Sequence, residues 1–172
     1  MDLWTYSPED VQVLLGGVQD VVGFVDGTFV NVSKDVVPFT MMRTTDGMVA
    51  RKYVNDQTYS ITISIMSMSP SNDILTRLWQ IDEATRMGKF PLLIKDSKGT
   101  GIFFSSTTWV EKLPDLSYSS SPEIRQWLLR SSQGLINIGG NDEESVSERI
   151  LTLAASGIPL IQQTLQNLTG GL

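Results

Sequence analysis

The sequence predicts an α+β protein that is mainly β: a β-sandwich or partly open barrel with one flanking α-helix, followed by a C-terminal helical extension. Three observations carry this. "QTYSITISIM" alternates apolar and polar residues without a break, the pattern of a strand with one face on a core. "SNDILTRLW", just beyond it, switches to helical spacing. From Asn141 the chain turns acidic and then helical, so residues 1–140 read as one β domain and 141–172 as an extension.

In order, "DVQVLLGG", "DVVGFVDG" and "TFVNVSKD" are short Val- and Phe-rich strands ending at Gly or Asp. Asp26-Gly27 is a hairpin turn signal, and so is Asp46-Gly47 near the tip of "FTMMRTTDGMVARKY". In the alternating strand, Tyr59, Ile61, Ile63 and Ile65 face a core, and Thr58, Ser60, Thr62 and Ser64 face away from it. The junction "SPSND" starts a helix over 71–87. Either Ser69 caps it with Pro70 first, or Ser71 caps it one turn on, and Asp73 suits the positive end of the dipole. Ile74, Leu75, Leu78, Trp79, Ile81 and Thr85 form its stripe, Gly88 is its C′ residue and Pro91 stops it. "FPLLIKD", "IFFSSTTWVEKL", "PDLSYSSS" and "EIRQWLLRSSQGLINIGG" then return to strands, giving β-meander, helix, β-meander. In the extension, Ser145 and Glu148 fit a capping box. Val146, Ile150, Leu153 and Ala154 share a face, and Gly157 and Pro159 break the helix before "PLIQQTLQNL". With an apolar face and no core of its own, this extension is expected to dock on something.

Composition narrows the function. The 172 residues hold no cysteine and no histidine, which removes thiolate chemistry, Ser-His and Cys-His catalysis, and the usual zinc sites. The acidic residues are not paired on one element as an acid/base couple. The glycine pairs lack the strand–loop–helix setting of a phosphate loop. No enzyme activity, cofactor or metal is expected. A net charge of −6 disfavours tight nucleic-acid binding, yet lets a polyanion pass without sticking. The first ten residues do not form a signal peptide and no stretch reaches a membrane span, so a protein made in the cytoplasm, with no membrane partner, is expected. The Thr/Ser face at 58–64 carries no Lys or Glu. It is either plainly solvated or the lining of a confined wet channel.

The ordered set "VVGFVDG", "TTDGMVARKYVNDQTYSITISIM", "SMSPSNDILTRLWQID" and "FPLLIKDSKGTGIFFSSTTWVEKLPDLSYSSS" resembles the tail tube proteins of contractile-tailed phages, over about residues 10–138. Lys112, Pro114 and Asp115 stand as "KLPD", one residue looser than the family's spacing. The resemblance implies six subunits per ring and stacked rings around a DNA channel. It also implies sheath, baseplate or tail-terminator partners and a place in the virion. It makes Thr58, Ser60, Thr62 and Ser64 candidate lumen residues, in passive contact with genomic DNA. Met42, Arg43, Asp46, Gly47, Met48 and Arg51 become a candidate inter-ring hairpin. The extension departs from the family's usual stopping point, which raises a tube-end or tube-initiator ring beside the repeating subunit. Two alternatives stand: a soluble β-rich adaptor that docks a partner through its C-terminal helix, and the tube protein of a contractile injection system.

Overall fold

The alternating strand becomes an interior strand of a large antiparallel sheet. In this computed structural model, which describes residues 6–140, a 3-10 turn at Pro8–Asp10 leads into β1 (Val11–Leu15). Gly16 and Gly17, both at positive φ, then turn the chain into the two-residue β2 (Gln19–Asp20). There follow β3 (Val30–Lys34), β4 (Phe39–Arg43), β5 (Val49–Tyr53), β6 (Tyr59–Met66), α1 (Ser71–Thr85), β7 (Phe90–Asp96), β8 (Ile102–Lys112), β9 (Ile124–Ser131) and β10 (Leu135–Asn137).

The eight-stranded sheet has the order β2-β1-β7-β8-β9-β6-β3, with β10 paired to β8; β4 and β5 form a separate two-stranded sheet. The two halves therefore interleave and do not sit side by side as two meanders. Val13 stands opposite Ile94, and Ile61 and Ile63 stand opposite Leu129 and Trp127. Periodicity fixes which face a strand buries, but not which distant strand lies beside it. Val11 of β1 and Val32 of β3, from opposite regions of the strand order, line one cleft of about 280 Å³ with Phe103 and Ile136. The sheet is thus rolled, as expected for a partly open barrel.

Its inner face is the core. Ile61, Ile63, Ile65, Leu75, Leu92 and Leu129 are fully buried and Trp127 nearly so. Each such side chain contributes roughly 1.5–3 kcal/mol of burial free energy. Tyr59, Ile61, Ile63 and Ile65 bury as the alternation predicts. Helix α1 adds Leu75 to this core, with Ile74, Leu78 and Trp79 half-buried against it. Ile81 and Thr85 are exposed, so the apolar stripe ends a turn before the helix does.

Other local expectations are corrected. Asp26-Gly27 is not a hairpin tip. Phe24 bridges Ile65 and Val30 pairs Ile63, so both arms run along the same strand and Asp26–Thr28 is an outward bulge between them. The left-handed residue ending α1 is Arg86 at φ 60, not Gly88. Gly88 is needed for closeness: an added Cβ would lie 2.4 Å from Asp82 Cβ and 2.6 Å from the Leu78 carbonyl oxygen. "PDLSYSSS" forms a loop, with β8 ending at Lys112 and β9 starting at Ile124. The boundary at 140 and the extension 141–172 lie at and beyond the limit of the described residues.

Candidate assembly surfaces

The "SPSND" junction is a structural clasp. Ser69 Oγ accepts the Ser71 N–H at 3.2 Å, the capping role expected of it, although the helix itself is assigned from Ser71 with Pro70 before it. The Ser69 hydroxyl donates to the Val22 carbonyl at 2.5 Å, and Ser71 Oγ accepts the Val22 N–H at 2.9 Å. The Asn72 amide donates to the carbonyls of Met66 and Ser69, both at 3.0 Å, and its oxygen accepts the Trp127 indole N–H at 2.9 Å. One junction thus ties the end of β6, the start of α1, strand β9 and the Val22–Gly23 segment together. Its residues are spent on the fold, which answers why so distinctive a motif holds no reactive group.

On the side of β6 away from the core, Thr58, Ser60 and Thr62 are half-buried, and Ser64 is only 5% exposed. Across the ladders Ser60 faces Ser33 and Arg130, Thr62 faces Asn31 and Leu128, and Ser64 faces Gln126. The strand itself is uncharged, but its neighbours are not. Arg130 is 2.6 Å from Asp35 and 2.7 Å from Glu111, and Ser60 Oγ donates to the other Asp35 oxygen. The Ser60 hydroxyl, with help from Arg130, holds the Asp35 carboxyl below the usual range against the opposing effect of burial. Hydrogen bonds from Thr58, side chain and backbone, lower Asp56 likewise. Glu111 and then Asp35 raise Arg130 further above its ordinary value. One guanidinium is held by two carboxylates, leaving the group with a single negative charge. A strand read alone could not reveal this, because Asp35, Glu111 and Arg130 lie on three other segments.

The β4–β5 hairpin is the second surface. Phe39 pairs Tyr53 and Met41 pairs Arg51 around a tip closed by Gly47 N–H to Thr44 O at 3.0 Å, with Gly47 at φ 81. Asp46-Gly47 thus lies at the tip, as predicted. All ten strand residues are exposed, among them Phe39, Met41, Met42, Val49 and Tyr53, and Met48 in the tip is exposed too. Arg51 lies over the Phe39 ring at 4.0 Å and Phe39 packs on Tyr53 at 5.2 Å. Met42, Arg43, Asp46, Gly47, Met48 and Arg51 are therefore brought together on one projecting element. Two-stranded hairpins are marginal alone. This one buries none of its strand residues against its own domain.

A third surface is not foreseen by the sequence reading. In the 113–123 loop Leu116 is 71% and Tyr118 83% exposed, beside Ile124 at 59%. The signal is the apolar pair Leu116 and Tyr118 within a run of serines, a pattern that reads as a strand. The buried hydroxyls of Ser105, Thr108 and Ser131 bond one another and the Thr107 and Gln133 carbonyls, a polar knot inside the sheet. Among the described residues no cluster of Asp and Glu is placed to hold a metal ion, and no helix is long and apolar enough to cross a membrane.

A rolled antiparallel sheet, one clasped helix and a free-standing apolar hairpin suit a subunit built to be joined to others. Comparison with known proteins decides the family: the profile of the bacteriophage PhiTE tail tube protein matches residues 4–139. The chain belongs to this tail tube family. It is accordingly a structural protein of the phage tail and a component of the virion. Structural protein ORF10 of Pseudomonas phage KPP10 is 28% identical over 163 residues, covering 91% of this chain and 94% of that protein. Residues 1–140 alone cannot supply that coverage, so the match runs past residue 140. In fold, the chain is similar to the tube-terminating cap of the anti-feeding prophage, with TM-score 0.54 and 16% identity over 80% of this chain and 93% of that one. It is also similar to a chain of the native gene transfer agent virion, with TM-score 0.51 and 12% identity over 78% of this chain and all of that one.

Proposed function

We propose that this tail tube family member forms six-membered rings that stack into the inner tail tube and enclose the DNA channel, without catalysing a reaction. The observation that carries the proposal is the β4–β5 hairpin, with ten exposed strand residues and no core of its own. An apolar element of that kind is stable and soluble only when a partner covers it. Edge strand β3 supports the same reading, since pairing around a ring would satisfy its free backbone groups.

In this reading the hairpin residues Met42, Arg43, Asp46, Gly47, Met48 and Arg51 reach the adjacent ring. Thr58, Ser60 and Thr62 line the channel, with Ser64 the buried end of the row. The doubly held Arg130 offers DNA phosphates no free cation there. Sheath, baseplate or terminator proteins complete the tail, and genomic DNA touches the lumen only in passing. In this reading residues 141–172 are a separate C-terminal extension that grips a different partner. Its presence favours a ring at a tube end as a second form of the same proposal. Light scattering across a wide concentration range, with electron microscopy, tests it. Rings of six and stacked tubes are expected; a uniform species of 19.0 kDa at every concentration refutes the assembly reading.

A further inference from the structure

The hairpin needs an acceptor, and the molecule carries a matching surface at its other end. Strand β6 separates the two. The hairpin leaves the sheet where β6 begins, closed by Val54 N–H to Pro38 O and Asp35 N–H to Thr58 O. The 113–123 loop sits where β6 ends, tied by Ser67 N–H to Glu123 O and by Met66 opposite Ile124. Eight residues of strand put these ends roughly 26 Å apart.

Each end is apolar and exposed; residues 39–53 carry a net positive charge and residues 113–123 a net negative one, the latter flanked by Lys112 and Arg125. The hairpin, residues 39–53, shows Met41, Met42 and Met48 together with Arg43, Arg51 and Lys52 against the single Asp46. The loop end shows Leu116, Tyr118, Ile124 and Met68, and the charged residues of 113–123 are Asp115 and Glu123 alone. A hairpin-to-hairpin contact would set Arg43, Arg51 and Lys52 against their own copies. A hairpin-to-loop contact pairs methionines with Tyr118 and Leu116, and basic groups with acidic ones.

We infer that the acceptor of the β4–β5 hairpin is the 113–123 loop face, with Met68 and Ile124, of a second copy of this chain. The contact is head-to-tail, joining one end of a subunit to the opposite end of the next. Between surfaces at opposite ends of the subunit, such a contact extends a stack where its rotation does not close a ring. This inference rests on the stacked-ring reading and adds to it which surface receives the hairpin.

The chain has no cysteine, so two introduced thiols report the contact without background. Met48→Cys and Tyr118→Cys are made as single variants, assembled together and oxidised. The expected result is a 48–118 disulfide in the mixed stacks and none in either variant alone. Stacks that form normally without this link, or a link within Met48→Cys alone, overturn the acceptor assignment and leave the stacked ring standing. A chain that stays monomeric overturns both. Charge reversal gives a second reading: Lys52→Glu raises the concentration needed for stacking by about tenfold, and adding Asp115→Lys restores it. No restoration by Asp115→Lys counts against the loop face.

Discussion

Asn72 is the residue on which the clasp turns, and its removal has a calculable cost. In Asn72→Ala the Trp127 indole N–H loses its acceptor at 2.9 Å while the side chain stays 2% exposed, which strands a buried donor at roughly 1–3 kcal/mol. The Met66 and Ser69 carbonyls lose side-chain donors at 3.0 Å, but each keeps a backbone one, from Ser69 N–H at 3.0 Å and Asn72 N–H at 3.2 Å. The total is about 3 kcal/mol, a drop of roughly 6–12 °C in melting temperature for a domain of this size. Urea unfolding followed by circular dichroism, at one fixed protein concentration, measures it. The decisive comparison is a double-mutant cycle. Trp127→Phe removes the N–H, so Asn72→Ala should cost about 1 kcal/mol or more less in that background. Asn72→Asp separates the two halves of the clasp, since it keeps an acceptor for Trp127 but sets a carboxylate against the carbonyls. If Asn72→Ala costs the same in the Trp127→Phe background as in the unaltered chain, the indole bond contributes nothing and the reasoning fails.

Gly23→Ala places a Cβ 2.7 Å from Ser69 Cβ at φ 78, and should destabilise by about 2–4 kcal/mol. Gly27→Ala, at φ 90 in open space, should cost only about 1 kcal/mol, and equal urea midpoints for the two would refute the close-approach argument. The Asp35 carboxyl titrates lower in the folded protein than its ordinary value. Its stabilising effect is therefore complete above about pH 4 and lost as pH falls through the lower folded-state value. Asp35→Asn should flatten that acid limb in urea midpoints taken from pH 2 to 6, and an unchanged limb would show that the Ser60 and Arg130 contacts of Asp35 add no stability. On the channel reading, Thr62→Lys should leave tubes intact but slow DNA passage in a salt-dependent way, because the added cation recurs in every subunit. Normal tubes with unchanged ejection kinetics would show that this face does not meet DNA.

The sequence makes the face of β6 legible because alternation is a local property, and it places Ile61, Ile63 and Ile65 in the core for that reason alone. The start of α1 is readable from Ser69, Pro70 and Asp73, whose roles are local too. What escapes notice depends on residues far apart in the chain. Arg130 meets Asp35 and Glu111 only after β8, β9, β6 and β3 are laid side by side. Gly88 reads as a left-handed residue, since the sequence does not record that Asp82 and Leu78 press against it. Asp26-Gly27 has the composition of a hairpin, but β6 is long enough to bind both of its arms and makes it a bulge. Of the candidate assembly surfaces, the hairpin is visible as a turn flanked by methionines and arginines. The loop face is not, because a loop of serines around Leu116 and Tyr118 passes for a strand.

The interleaved strand order also sets a clock on the chain during synthesis. When residue 66 has been made, β6 can pair with β3, but its other neighbour, β9, does not yet exist. Val13 likewise waits for Ile94, and Trp127 must arrive before Asn72 has a donor for its oxygen. The last ladder partner of β6 is Ser131, near the end of the β domain. Long-range closures of this kind are slow compared with local ones. The growing chain therefore carries a half-covered row of isoleucines until nearly all of the domain has left the ribosome. A subunit competent to join its neighbours appears only as a finished whole, so unfinished chains cannot enter the structure they are meant to build.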